Sequence, residues 1–538
     1  MWKRDSTRRE FIKLAAMLAS SFSLGWSPTR GWTTTRKDPK NYPVVVIGAG
    51  LGGLSSALYL SRAGFPVTVI EQHNIPGGYA TAFRRGDYYF DVSLHFFGIR
   101  EDIYKELGID NKVERIRLER TIRIISKDRD ILFAPTNSKE IIDALCINYP
   151  KEKDGIIQYY QHCFDVYEEL TKFSKKMETG SISLEDFPNQ FPKMWGLRDI
   201  SYAEFLDRYI KDQETKSKLS RVCAIIGLPP SKAAAFMAVI LVGSLLKNKT
   251  YYFRSRSQDF SNAFADVIKE NNGNLIYGKA VDRIITKNDS VTGVRTEDGE
   301  VYPAKIIVSN ANAPDTFSKF LSHNKTAALY MNRLSKLKPS ISCFIVWLGL
   351  EGELRGKIKG HSILLDSGFD IETDFQNYLN CDAEKFPIAI AMYDNYFEGY
   401  SKPGTSTITI MALSGYEPWR RFERDYFLGN KKAYYQQKER ITKTMIKRVE
   451  EKVIPGLSSM INVMESSTPL TNMRYTKNPE GAIYGYPCSV DNCFTTRIQN
   501  STPIKGLYLS SGWGKYSGSY SGGIMNGRGT FRQIMEDI

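Results

Sequence analysis

One short stretch constrains the fold more than any other. Residues 43–47 are almost entirely β-branched, and the loop Gly48-Ala49-Gly50-Leu51-Gly52-Gly53 comes directly after them. Residues 54–63 then show apolar spacing, and a second β-branched run, 65–70, ends on Glu71. A continuous β-branched run predicts a strand buried on both faces, and the later spacing predicts a helix, so the stretch reads as one βαβ unit of a parallel sheet. Its glycines have separate tasks. Gly48 permits the tight turn, Gly50 lets a pyrophosphate approach the backbone, and Gly53 lets the helix pack on the strand, with Gly52 completing the loop. The helix N-terminus then faces the phosphates. Glu71 stands about 20 residues beyond the loop, where a carboxylate accepts hydrogen bonds from a ribose. The unit predicts a dinucleotide site but does not say which dinucleotide.

The choice between dinucleotides rests on the residues after Glu71: Gly77-Gly78, Phe83, Phe90-Asp91 and His95-Phe96-Phe97-Gly98. Here the chain resembles the flavin amine-oxidase superfamily, and more closely the carotenoid desaturase, carotenoid isomerase and retinol saturase group, with Ser93 where that group has a glycine. The resemblance implies FAD as the cofactor. It also implies a Rossmann-type, glutathione-reductase-like FAD-binding domain, an α/β fold with an inserted α+β substrate domain. Three further segments extend it over most of residues 42–538. Gly273 to Val281, with Ala304 to Asn310 behind it, looks like the group's return to the FAD domain, where the residue at Val281 contacts the adenine end through its backbone. Asn478 to Gly485 and Gly506 to Trp513 look like its flavin-closing segment. Many relatives end that strand in Gly-Asp; Trp513 stands here instead, so the resemblance leaves Gly512 and backbone amides near Gly522 and Gly523 to meet the flavin.

Between these segments the chain reads as substrate domain. Ile156, Tyr160, Cys163, Tyr167 and Leu170 recur at helical spacing, a core stripe. The apolar run 232–246 is too short to cross a bilayer, and it reads equally as a buried helix, a tunnel lining or a segment dipping into a membrane surface. Residues 340–350 and 386–414 alternate as strands, predicting an antiparallel sheet over the flavin, and 438–453 reads as a charged helix. The expected organisation is a leader and linker (1–40), FAD-domain segments at 41–100, 271–325 and 461–538, a mainly helical substrate or lid region (101–270), and a sheet-bearing substrate domain (326–460). No nucleophile–base set can be assembled, as expected where a flavin carries the chemistry. His95 is the candidate acid or base, Tyr484 is a candidate for the ring face, and Asp91 reads as structural.

Charge and leader bound the partners. The formal net charge is +14, of which nine basic and three acidic residues in 1–40 contribute +6. The other basic residues are spread along the chain, and neither a basic helix nor an aromatic strand motif supports a nucleic-acid partner. Seven cysteines without a Cys-x-x-Cys pair and five histidines without ligand spacing predict no metal site. Cys488 and Cys493 are close enough in sequence to pair, or are two buried thiols; both readings stand. Arg8-Arg9, Phe11 and Lys13, with an apolar run to Leu24 behind them, resemble a twin-arginine export signal. That resemblance implies a bacterial periplasmic or exported protein, folded and loaded with a tightly held FAD before export, with peripheral membrane contact open through an uncleaved leader. It also implies an electron acceptor that is oxygen, a quinone or a periplasmic carrier rather than NAD(P). The resemblance as a whole predicts a flavin oxidoreductase for C=C or C–C bonds of an apolar isoprenoid. A flavin amine or amino-acid oxidase and a flavin electron-transfer protein are the alternatives.

Overall fold

The computed structural model describes residues 38–93, 101–118, 122–126, 130–133, 138–178, 186–248, 251–368, 370–395, 397–493 and 497–538. Arg8 to Leu24, read as an export signal, and His95 lie outside the described residues. Six helices carry most of the packing discussed: α1 (Leu51–Arg62), α2 (Lys153–Glu178), α3 (Ala235–Lys247), α4 (Arg256–Glu270), α5 (Lys432–Lys452) and α6 (Tyr520–Asp537).

Five short parallel strands form the first sheet: β1 (Val44–Ile47), β2 (Val67–Ile70), β3 (Asn274–Ile276), β4 (Ile306–Ser309) and β5 (Leu507–Leu509), in the order β5-β4-β1-β2-β3. The βαβ unit is therefore present, with α1 between β1 and β2. The strands are continuously apolar because both faces are covered. Val44 and Val46 enter the layer holding Leu54 and Leu58 of α1, Phe260 and Phe264 of α4, and Phe531 of α6. Val45 and Ile47 enter the opposite layer, with Ile284 and Val294 of a small antiparallel sheet formed by Val281–Lys287, Ser290–Thr296 and Val301–Pro303. A ligand site is expected outside the carboxyl ends of such strands, where β1 is flanked by neighbours on both sides.

The second sheet has seven strands in the order Ile461–Ser467, Ser342–Glu351, Thr405–Ser414, Ile388–Ala391, Ser362–Leu365, Ile122–Ile125 and Asp130–Phe133. All neighbours are antiparallel except Ser362–Leu365 with Ile122–Ile125. Three of its strands come from outside the expected sheet-bearing substrate domain. Ile122–Ile125 and Asp130–Phe133 arise in the region read as mainly helical and are tied by an Arg123–Asp130 ion pair. Ile461–Ser467, expected to open the last FAD segment, is instead an edge strand on Ser342–Glu351. That central strand does not alternate between core and solvent. Phe344, Val346 and Leu348 enter the core with Ile441 and Met445 of α5, while Cys343, Ile345 and Trp347 face Tyr88 and Phe90.

The stripe from Ile156 to Leu170 lies on α2, and its residues are buried. Of the three readings of run 232–246, the buried helix is the one found. Phe236, Val239 and Ile240 of α3 share the core with α2, and a side chain at Gly243 would press on Tyr167. No helix among the described residues is long and apolar enough to cross a membrane.

Candidate active site

The glycine loop and Glu71 come together at the carboxyl end of β1. Gly50 is the N-cap of α1 and, having no side chain, leaves the first helical turn without a side-chain cap. The helix thus opens with unsatisfied N–H groups and the positive end of its dipole toward the loop. Gly48 takes φ +91, a conformation that favours glycine. Glu71 is buried at the tip of β2, where its carboxylate accepts the N–H of Ala49 at 2.6 Å and of His73 at 2.9 Å. The glycine pair forms the next wall. Gly77 bridges to Gly50 and donates its N–H to the Ala49 carbonyl at 2.7 Å, and a Cβ on Gly78 would sit 3.4 Å from the Gly50 Cα. The residues at 276–279 run beside Glu71, with the Lys279 N–H on the Glu71 carbonyl at 3.0 Å, and so bring Val281 to this end of the sheet. An uncapped helix start, a cradle that side chains would fill and a buried carboxylate at the tip of β2 fit FAD. These residues would hold its pyrophosphate and adenosine half.

The closing segment differs from expectation in three places. A side chain on Gly52 would collide with the Ser510 carbonyl, so this glycine is where the end of β5 seats on α1. The amides of Gly522 and Gly523, expected to face the flavin, are taken: Ser519 caps α6, accepting the Gly522 N–H on its Oγ and the Gly523 N–H on its carbonyl, both at 2.8 Å. What Gly523 provides is close approach, since a Cβ there would meet Leu51 and the start of α1. Trp513 turns its ring into the core behind the sheet, edge-on to Tyr486 at 4.8 Å, and donates Nε1–H to Asn478 at 2.9 Å. Gly512 does lie at a crossing of bare backbone: a side chain on Gly485 would strike its carbonyl, and one on Gly512 would strike Gly518. Two further residues complete the site. Buried Arg497 donates to the carbonyls of Gly514 at 2.9 Å and Gly512 at 3.4 Å, and the Asn310 amide packs over Gly48 and Gly50. Asn310 ends the segment read as the return to the FAD domain, whereas Arg497 belongs to no periodic pattern or spaced motif.

Asp91 is a buried hub. It accepts the hydroxyl of Tyr252, the N–H of Ser257 at 3.1 Å and the Ser257 hydroxyl at 2.6 Å, so it caps α4 from a strand 166 residues away. Its carbonyl accepts Trp347 Nε1–H at 2.7 Å, and Arg256 Nη1 lies 3.6 Å from its carboxylate. Arg256 is 1% exposed, stacks on Tyr400 and Tyr89, and holds φ +84. Nearby Asp394 is pushed up to about 6 by burial, against the pull of the Thr407 N–H and of Arg256. Its value in the folded protein exceeds the ordinary carboxylate value, so the folded state binds this proton more tightly than the unfolded chain does. Its ionisation therefore erodes stability as pH rises from about 4 to about 6, by roughly 3 kcal/mol in full. Asp394→Asn is expected to flatten that part of the stability–pH curve in urea titrations; parallel curves for parent and variant would contradict it.

Beyond the hub lies an apolar wall. Phe83, Phe90 and Trp347 pack together, Phe83 lying 5.4 Å from Phe90 and edge-on to Trp347 at 5.2 Å, with Met411 and Ile483 against them. Tyr484 and Gly485 continue from Ile483 into the crossing with Gly512 and Gly518, where the Gly518 N–H reaches the Tyr484 carbonyl at 3.1 Å. The Tyr484 ring packs on Gly227. Burial raises its hydroxyl above the ordinary tyrosine range and lifts the nearby Cys343 thiol to about 12, so both are neutral at physiological pH. Cys488 and Cys493 are both reduced and share a small buried cluster with Ala234; a hydrogen bond from Cys493 holds the Cys488 thiol below the ordinary range. Among the described residues, no group of His, Cys, Asp and Glu could hold a metal ion.

Comparison with known proteins bears on the whole chain. Residues 46–107 match the NAD(P)-binding Rossmann-like domain family. Over 503 residues the chain is 24% identical to all-trans-retinol 13,14-reductase of Danio rerio, covering 88% of this chain and 82% of that protein. Over 486 residues it is 26% identical to the chloroplastic prolycopene isomerase of Arabidopsis thaliana, covering 87% and 78%. An oxidoreductase structure from Methanosarcina mazei superposes with a TM-score of 0.60 at 18% identity, covering 92% of this chain and 100% of that one. Cyclohexylamine oxidase from Brevibacterium oxydans does so at 0.57 and 16%, covering 92% and 99%. Glycine loop, glycine pair and closing segment thus lie in a chain that carries a Rossmann-like domain match at residues 46–107, is similar over most of its length to a retinol reductase and a prolycopene isomerase, and shares its fold with cyclohexylamine oxidase.

Proposed function

We propose that this protein is an FAD-dependent oxidoreductase that desaturates, saturates or isomerises C=C or C–C bonds of an apolar isoprenoid of carotenoid or retinoid kind. The observation that carries the reading is the wall of Phe83, Trp347, Met411 and Ile483, joined through Tyr484 and Gly485 to the flavin seat and bordered by groups that burial keeps neutral. A polyene needs such surface and no counter-charge. The names of the relatives, a retinol reductase and a prolycopene isomerase, support the same substrate class. Bound FAD supplies two-electron hydride chemistry. The protein's part is to hold the ribose with Glu71, exclude water with the aromatic wall, and orient the chain of double bonds against it. His95 as proton carrier and Tyr484 at the ring face belong to this reading.

The Arg8-Arg9 signal supports a finer assignment: export by the twin-arginine machinery, a periplasmic location, and oxygen, a quinone or a periplasmic carrier as acceptor. One anaerobic stopped-flow series addresses substrate and acceptor together. Polyenes are expected to change the flavin absorbance near its visible maximum, and quinone or oxygen to restore it faster than NADP+. Flavin that responds to amines with peroxide release, and to no polyene, would make the protein an amine oxidase instead. Rapid reduction by a quinol with no carbon substrate at all would make it an electron-transfer protein.

A further inference from the structure

The segment between two helices presents apolar side chains to solvent. Glu423–Phe427 ends in Phe427, 51% exposed, and is succeeded by Leu428, 67% exposed, and Gly429 at φ +93. Tyr435, on the first turn of α5, adds a third large side chain at 53%. The platform beneath is rigid: Trp419, Tyr426 and Tyr434 are buried and packed ring to ring, with Tyr426 4.8 Å from Tyr434 and 5.3 Å from Phe427. The tip is therefore held out by a packed base and is not a frayed end.

Cations ring this tip. Arg421, Arg424 and Lys432 are exposed, and Lys431 lies over the Tyr426 ring at 4.5 Å. Among the described residues none of these four is in a salt bridge, whereas their neighbour Arg420 is held by Glu417 and Glu480. Two acids share the surface: Asp425, and Glu423, which accepts the Tyr416 hydroxyl. Four cations against two acids leave a positive collar around an apolar point. A partner protein would need a groove or flat face here. Two adjacent apolar side chains on a turn, encircled by long basic ones, fit instead the boundary between anionic headgroups and acyl chains, the cations lying on the headgroups while Phe427 and Leu428 enter below them.

We propose that the Phe427–Leu428 tip and its basic collar dock this protein on an anionic lipid bilayer. The docking does not depend on the substrate being an isoprenoid, although an apolar substrate would be dissolved in the same phase.

The test is co-sedimentation of the flavin-loaded full-length chain with vesicles of phosphatidylcholine alone or with 30 mol% phosphatidylglycerol. We expect binding only to the anionic vesicles, weakened by raising salt. A Phe427→Asp/Leu428→Asp variant should lose roughly tenfold or more in partitioning, with flavin content and melting temperature unchanged. Arg424→Glu/Lys432→Glu, which keeps the apolar pair, should lose the preference for anionic lipid. Both variants retain residues 1–37, so a basic leader that alone bound vesicles would leave them as tightly bound as the parent, and that result overturns the proposal. Concentration-dependent dimerisation that the aspartate variant abolishes, with no vesicle binding by the parent, would overturn it in favour of a second copy of the chain.

Discussion

Gly52→Ala is expected to yield protein that no longer retains FAD. The added methyl would sit inside the Ser510 carbonyl group, and both neighbours are backbone: the first turn of α1 on one side and the residue after β5 on the other. Relief requires β5 and α1 to part, which also breaks the Ser510 hydroxyl's hydrogen bond to the Gly52 carbonyl at 2.8 Å and its contact with Ser56 at 2.7 Å. Overpacking of this kind costs about 3 kcal/mol or more. Falling wholly on the flavin-competent state, that is a loss of about 100-fold in affinity. Gly50→Ala separates fold from cofactor. There the methyl meets only the Asn310 Nδ2 at 2.7 Å, a side-chain amide that can swing aside. Its melting temperature should stay near the parent's while flavin is lost to the extent that a pyrophosphate sits against Gly50. The ratio of flavin to protein absorbance and a thermal melt read both variants. A Gly52→Ala protein that is yellow and melts like the parent would show that the β5–α1 contact is not what closes the seat.

The second large effect is expected at Asp91. Asp91→Ala leaves the Arg256 guanidinium buried without its counter-charge and removes the acceptor for the Tyr252 hydroxyl, the Ser257 hydroxyl and the Ser257 N–H. Breaking one partner of a buried pair costs about 3–5 kcal/mol, much of it the burial of the remaining charge. Asp91→Asn should cost less, because Oδ1 still accepts from Ser257. Pairing Asp91→Asn with Arg256→Met should recover part of the loss, since neither member of that ion pair is then left buried without the other. A double-mutant cycle in urea gives the coupling directly. Additive losses in that cycle would mean that Arg256 and Asp91 do not compensate one another, and that Arg256 holds its φ of +84 for another reason.

Legibility in the residues is local. The strand–loop–helix–strand unit can be read because each element has its own period, and Glu71 is tied to the loop by a spacing that every such unit shares. The antiparallel strands Ser342–Glu351 and Thr405–Ser414 are long enough to show their character. The illegible part is made between distant segments. Asp91 caps α4 across 166 residues, Arg497 grips carbonyls whose own residues say nothing of it, and Trp513 goes into the core because Asn478 and Tyr486 are there to receive it. Gly522 and Gly523 point to the flavin in the sequence only for want of side chains. The cap by Ser519 and the approach of α6 to α1 explain those glycines without it. The four-residue strands Ile122–Ile125 and Asp130–Phe133 are too short to carry a period, and Ile461–Ser467 is an edge strand whose partner lies over a hundred residues upstream.

The contact between Gly52 and Ser510 spans 458 residues, and it sets a clock on synthesis. The glycine loop leaves the ribosome long before β5 and α6, which seat on it. At about 5–20 residues per second the interval is roughly 20–90 s. Throughout that time the face of α1 that α6 will cover, where Ser55 meets the Ile524 carbonyl and Gly527 lies close, has nothing over it. A chain released short of α6 would carry the whole nucleotide loop and still be unable to close on its ligand. Retention of the yellow cofactor thus reports that translation has passed α6.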